Sequence, residues 1–425
     1  MRDIFTETFD VIVVGGGPSG MIAAGRAAEC GARVLLLEKN ESLGKKLRIT
    51  GGGRCNLTNA TFDVHKFVSK FGAQGKFLFP ALDRFGISET LDFFHRKGLV
   101  TKTEAENRVF PESDRADDVW GLLVRYMLEH RVVIQYNASI QGFVIEDSVI
   151  QGIALEGGIV RARSYIMATG GKSRPETGST GDGFVWLSEL GHAISSPDTA
   201  LVPVTIQDPW VKNLQGTSLS DSKLSIVHKG KKQKGMRGKM LFTHFGVSGP
   251  LVLNMSRSIR ECFGSGKTEL SLDLFPGIDS ALLDQRLLDI FARNANKKLK
   301  NSLDAYVSPS LTETLLNLAA IAKGPQFLSG EKYVREVTRE ERLFLSALAK
   351  DMRMTVSGFL GFQKSIVSSG GVDIREIDFK TMQSRIHKNL FIVGDLLDFN
   401  RPSGGYSLQI CWTTGYLAGE SAAKV

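Results

Sequence analysis

The chain has 425 residues, 42% hydrophobic and 23% charged, which excludes a disordered or fibrous protein and is too long for one ordinary core. Its four cysteines, Cys30, Cys55, Cys262 and Cys411, form no CxxC pair, which argues against a metal site, a disulfide framework and a disulfide-reductase couple. The net charge of +8 belongs to one segment: residues 222–260 hold nine basic side chains and no acid, so the rest sums to 8 − 9 = −1. No apolar run approaches the length of a membrane span, and no charged-then-apolar leader precedes the first strand, so a cytoplasmic protein is expected.

Phe9 to Val14 is an apolar, β-branched run that stops at three glycines. A small-residue helix from Met21 to Cys30 follows, then a second strand from Arg33 to Leu37 that ends at Glu38, which makes a βαβ unit. Ser88 to Lys97 and Ala116 to His130 read as helices. From Val132 to Met167 short alternating runs with glycines read as a β-meander, closed by a buried strand from Tyr165 to Ala168.

The composition shifts over 196–350. Strand-like pieces at Ala200 to Ile206, Leu224 to His228 and Thr268 to Leu274 precede helical ones at Ser280 to Asn296, Ser310 to Ala322 and Thr338 to Asp351. This stretch is read as an inserted mixed β/α domain between a nucleotide-binding part at 1–195 and its continuation at 351–425. The continuation holds a strand from Leu390 to Val393 and a final helix from Tyr406 to Ala422.

The chemistry starts at Gly15-Gly16-Gly17-Pro18-Ser19-Gly20, which contains GxGxxG. Gly15 permits the tight turn, Gly17 lets backbone N–H groups approach a pyrophosphate, and Gly20 lets the helix lie close to the sheet. Glu38, 18 residues after Gly20, is placed to accept hydrogen bonds from ribose hydroxyls. Lys39 follows it.

FAD is preferred over NAD because glycine-marked strand ends recur. Ile49-Thr50-Gly51-Gly52-Gly53-Arg54-Cys55-Asn56 follows the βαβ unit, Ala168-Thr169-Gly170 ends a strand, and Val393-Gly394-Asp395 ends another. An extended ligand lying across the end of a parallel sheet suits this pattern, with Asp395 on the ribityl chain. Gly404-Gly405 opens the last helix at Tyr406, where a helix N-terminus facing the flavin would stabilise its reduced anion; a plain loop-to-helix turn is the other reading.

These motifs resemble those of the HI0933-like flavoproteins. The similarity runs nearly end to end, through GGGPSG (15–20), LRITGGGRCNLTN (47–59), VFPESDRADDV (109–119), ATGGKSRPETGSTGDGF (168–184), LFTHFGVSGP (241–250), SGGV (369–372) and GDLLDFNRPSGGYSLQICWTTGYLAG (394–419). The family often has Glu at the position of Asp395 and Asn at that of Ser407. The resemblance implies a glutathione-reductase-like flavin fold interrupted by an insert, with NADH or NADPH as electron donor. It also implies reduction of an activated C=C bond, either of a uridine in large-subunit ribosomal RNA or of a steroid or bile-acid enone. A flavin-binding sensor without turnover is the reading from another class.

Such a reduction needs a proton donor. Cys55 is the first candidate, with Arg54 beside it to lower its pKa; a small residue packed under the flavin is the alternative. His244, in Thr243-His244-Phe245-Gly246, is the second, against a histidine satisfied by its own turn. Lys46 and Arg54 are placed to neutralise phosphate or substrate charge. The basic run from Lys229 to Lys239 is either a solvated hairpin tip or a contact for a polyanion such as ribosomal RNA.

Overall fold

A computed structural model of the chain describes residues 4–360 and 367–425. The chain divides into two compact units, Met1–Ala200 with Phe362–Val425, and Leu201–Gly361. The insert therefore ends later than its composition suggests. Strand Met352–Phe359 pairs antiparallel with Thr268–Asp273 and Val204–Ile206, which makes it part of the second unit's sheet. At the other boundary, Ile194–Ala200 pairs with Val367–Val372 in the first unit. The single strand expected over 200–206 is broken at Leu201, whose φ is 52°.

The first unit is built on a parallel sheet in the order Leu390–Ile392, Ala162–Met167, Phe9–Val14, Val34–Leu37, Val133–Gln135. Its strands Val34–Leu37 and Leu390–Ile392 are unbroken apolar runs because both their faces are buried. The expected meander splits: its two ends are parallel members of this sheet, and only Ile140–Glu146, Val149–Leu155 and Gly158–Val160 form an antiparallel sheet of their own.

The first helix, Pro18–Glu29, packs against the last, Tyr406–Ala422. A Cβ on Gly415 would lie 2.4 Å from the Ser19 carbonyl oxygen, and one on Gly419 the same distance from that of Ala23. Only glycine fits at these crossings, so the two ends of the sequence meet backbone to backbone.

The second unit is a closed antiparallel barrel of six strands. Ser218–His228 pairs with Met236–Thr243, then come Gly246–Ser248, Val204–Ile206, Met352–Phe359 and Thr268–Asp273, which pairs back onto Ser218–His228. Closure removes the sheet edges. Helix Pro250–Gly264 packs on the barrel with Leu251, Val252, Met255 and Ile259 buried. Helices Ser280–Arg293, Pro309–Lys323 and Arg339–Lys350 follow the expected pattern. Among the described residues no helix is long and apolar enough to cross a membrane.

At the edge of the parallel sheet His192 is buried, with Nδ1 2.8 Å from Glu376 Oε2 and Nε2 2.9 Å from Ser384 Oγ. Burial pushes its pKa down, Glu376 opposes this, and the net shift is downward. The unfolded imidazole, near 6.5, therefore protonates before the folded one. Its contribution is intact above about pH 6.5 and is lost as the pH falls. The urea-unfolding midpoint should drop between pH 7.5 and pH 5.5, and His192→Gln should reduce that drop. An equal drop in both proteins would contradict this role.

Candidate active site

The first strand runs into Gly15, whose φ is +101°. A Cβ there would lie 2.6 Å from the Ala168 carbonyl oxygen, and one on Gly20 would lie 1.8 Å from that of Gly15. At Gly17 a Cβ would meet no described atom within 4 Å. Gly17 is the N-cap of the first helix, Pro18 is its first residue, and no described side chain caps it. Its first-turn N–H groups thus face a space that a pyrophosphate suits.

Glu38 is buried under this loop. Its Oε2 accepts from Gly16 N at 2.8 Å, and its Oε1 accepts from the backbone and side chain of Asn40 at 2.8 and 2.6 Å. Asn40 orients the acid and was not singled out from the sequence. Lys39, expected from the sequence to help bind the cofactor, has its ammonium 2.8 Å from Asp182 Oδ2, at the start of helix Asp182–Glu189.

Two further strand ends converge here. A Cβ on Gly394, whose φ is +65°, would come 2.2 Å from Ser19 Oγ, so the last parallel strand delivers Asp395 beside the first helix. Lys46 Nζ lies 2.8 Å from Ser173 Oγ and 3.3 Å from Asp395 Oδ2. Burial pushes the Asp395 carboxyl up, but the charges of Lys46 and Arg401 and a hydrogen bond from Ser407 outweigh it, and the net shift is downward. Ser407, where the family often has Asn, donates to Asp395 Oδ1 at 3.4 Å.

Arg401 is the main residue that sequence reasoning missed. It is buried, donates to the Gly394 and Leu397 carbonyls at 2.8 Å each, and holds Nε 3.6 Å from Asp395 Oδ1. An arginine in a proline-glycine loop gives no sign from sequence that it turns inward. Thr169 and Gly170 close the neighbouring strand; the Thr169 hydroxyl is buried against Gly183, without a hydrogen-bond partner among the described residues.

The glycine loop and the start of the last helix form the other half. Gly51, Gly52 and Gly53 have φ of 58°, 71° and 85°, and Cβ atoms on Gly52 or Gly53 would meet no described atom within 4 Å. In the amide orientation that satisfies its neighbours, Asn56 accepts from Gly405 N at 3.0 Å. Asn59 Nδ2 donates to the Gly404 carbonyl at 3.0 Å. A Cβ on Gly405 would lie 2.3 Å from the Thr58 carbonyl oxygen. Tyr406 then opens a helix that no described side chain caps, its ring 4.9 Å from that of Phe67.

Cys55 needs correction. Its thiol is fully buried, and burial pushes its pKa up to about 12. Arg54 cannot lower it, because the guanidinium is turned onto Glu104 and Asp114 and stacks 4.1 Å over the Phe110 ring. The same pairing takes Arg54 away from a phosphate. Cys55 instead holds the loop at a φ of 60°, its N–H donating to Thr50 O at 3.0 Å. His244 belongs to the second unit, exposed at the turn between Met236–Thr243 and Gly246–Ser248, with its ring 4.9 Å from that of Phe245.

The basic segment also changes on folding. Acids from outside the window reach it: Asp221 binds Arg237 through two oxygens, and Asp351 lies 3.1 Å from Lys232. Lys229, Lys231, Lys234 and Lys239 are exposed and have no ion pair among the described residues.

The first unit thus offers open space at Gly17, Gly52 and Gly53, two uncapped helix N-termini, and acids at Glu38 and Asp395. These residues fit FAD, with the pyrophosphate at Gly17 and hydroxyls at the two acids.

Known proteins agree. The family model described as HI0933-like protein Rossmann domain matches residues 9–421. A 3-dehydro-bile acid delta(4,6)-reductase of Clostridium scindens is 30% identical over 415 residues, covering 97% of this chain and 98% of that protein. A ribosomal RNA dihydrouridine synthase of Escherichia coli K12 is 28% identical over 420 residues, covering 98% and 99%. Among solved structures, a flavocytochrome c3 fumarate reductase has a TM-score of 0.55 at 16% identity, over 99% of this chain and 78% of that one. A 3-ketosteroid-delta4-(5alpha)-dehydrogenase of Rhodococcus jostii RHA1 also has a TM-score of 0.55 at 16% identity, over 99% and 98%, and both likenesses speak to the fold. The chain belongs to the HI0933-like family of FAD-dependent oxidoreductases.

Proposed function

We propose that the chain takes electrons from NADH or NADPH and reduces an activated C=C bond, with a uridine in large-subunit ribosomal RNA as the favoured substrate. The observation that carries the RNA reading is the set of unpaired lysines on the barrel, Lys229, Lys231, Lys234 and Lys239. The relative named for ribosomal RNA dihydrouridine synthesis supports it over nearly its whole length. The relative named as a bile-acid reductase favours a small enone instead, for which the lysines would be incidental.

Bound FAD supplies the two-electron chemistry. The chain's own residues would hold it: Glu38 and Asp395 would accept hydroxyls, the first helix would receive the phosphates, and Lys46 with Arg401 keeps Asp395 ionised. Cys55 is fully buried, which keeps its thiol from a substrate, so the proton is assigned to another donor. His244, exposed in the second unit, is the second candidate donor.

Cys55→Ala should keep FAD and nearly full turnover, whereas His244→Gln should lower C=C reduction by roughly 100-fold and leave flavin reduction by NAD(P)H unchanged. These two steps are read separately by anaerobic stopped flow. A loss of that size in Cys55→Ala would return the thiol to the chemistry, and full turnover in His244→Gln would remove the imidazole from it.

The lysines predict a salt dependence. Four phosphate contacts give a log–log slope of roughly −3 to −4 for RNA affinity, and Ala at Lys229, Lys231 and Lys234 together should remove about two to three units of it. Flavin content should not change. Salt-independent binding, with turnover of a neutral enone indifferent to the same substitutions, would favour the small-molecule reading.

A further inference from the structure

The lysines do not stand alone on the barrel. Lys229 and Gly230 form the tip of the hairpin that pairs His228 with Lys231. The His228 ring lies 3.3 Å from Thr268 Oγ1 through Nδ1 and 3.2 Å from Ser265 Oγ through Nε2. Gln233 Nε2 reaches Cys262 Sγ at 3.5 Å. These bonds fix the hairpin tip to the last turn of helix Pro250–Gly264, so Lys229, Lys231 and Lys234 share one end of the barrel with Phe263. Lys239 lies further along, where its neighbours Gly238 and Met240 pair with Ser222 and Leu219.

Phe263, next in sequence to the Cys262 that Gln233 reaches, is 36% exposed. Its ring makes an edge contact with Phe359 at 5.8 Å, and the Arg260 guanidinium lies 4.7 Å over the Phe359 ring. The nearby acids are compensated: Glu261 pairs with Arg257, and Glu269 with Lys267. The result is an exposed aromatic ring, backed by a second ring and a guanidinium, on the helix turn to which the lysine-bearing hairpin is bonded.

We infer that this end of the barrel is a docking face for unpaired RNA, on which a splayed base stacks against Phe263 while Lys229, Lys231 and Lys234 take the flanking phosphates. The inference rests on the RNA reading above and adds the state of the RNA. A duplex presents phosphates and hides its base faces, so lysines alone bind both forms, whereas an exposed ring beside them gains only from an unstacked base. The contact carries no base identity, since every base has a π face.

The test uses the full-length, FAD-loaded protein and fluorescence anisotropy. The probes are a labelled, unstructured RNA of about 12 nucleotides and the same strand annealed to its complement. The single strand should bind more tightly. Phe263→Leu, which keeps the apolar packing on Phe359, should weaken it by about tenfold, leaving its salt slope and the duplex affinity unchanged. Phe263→Trp should keep the preference.

Equal affinity for the two RNAs, or a Phe263→Leu protein with wild-type preference, overturns the stacking face. If the lysine substitutions still flatten the salt slope in that case, the RNA reading stands without it; if they do not, both fall. Tighter binding to phosphatidylserine vesicles than to either RNA also overturns the inference.

Discussion

The site depends on backbone segments from the two ends of the chain lying closer together than any side chain allows. Gly20 sits on the carbonyl of Gly15, Gly415 on that of Ser19, Gly419 on that of Ala23, and Gly405 on that of Thr58. A methyl group at any of these meets a backbone carbonyl oxygen first, at 2.4 Å or less. Overpacking of this kind costs about 1–3 kcal/mol even where a core can yield. The contacts bring the uncapped start of the first helix, the acid at the end of the last parallel strand and the start of the last helix into one unit, although almost four hundred residues separate Gly15 from Gly405 in sequence.

On that frame the electrostatics are arranged before any ligand arrives. A buried carboxylate is costly unless paired, and Asp395 is paired with Lys46 and Arg401. Arg401 also fastens the Gly394–Leu397 turn, so the group that keeps the acid ionised also fixes where it points. Glu38 is held in the same way by Gly16 and Asn40. The acids are thus preorganised, and the N–H groups of two helix ends are left for the cofactor.

Features local in sequence were legible. The βαβ unit, the glycine roles at 15, 17 and 20, Glu38 and the span of the last helix needed only short-range pattern. Long-range pairing was not. The turning of Arg54 toward Glu104 and Asp114, of Lys39 toward Asp182 and of Arg401 toward Asp395 depends on which strand ends become neighbours, and no spacing encodes that. The basic window misled for the same reason, because Asp221 and Asp351 lie just outside or far from it in sequence and fold onto Arg237 and Lys232. The barrel was hidden because its shortest members, Val204–Ile206 and Gly246–Ser248, are three residues long and carry too little alternation to read.

The claim that both chain ends build one flavin site is tested most directly at Gly405, which lies outside the dinucleotide fingerprint. FAD can be titrated onto deflavinated protein carrying Gly405→Ala, with Gly142→Ala, a position in the meander with open space around it, as the control. The account predicts that Gly405→Ala weakens FAD binding by about tenfold or more, the equivalent of about 1.4 kcal/mol or greater, while Gly142→Ala binds as wild type. Wild-type FAD affinity in Gly405→Ala would contradict it.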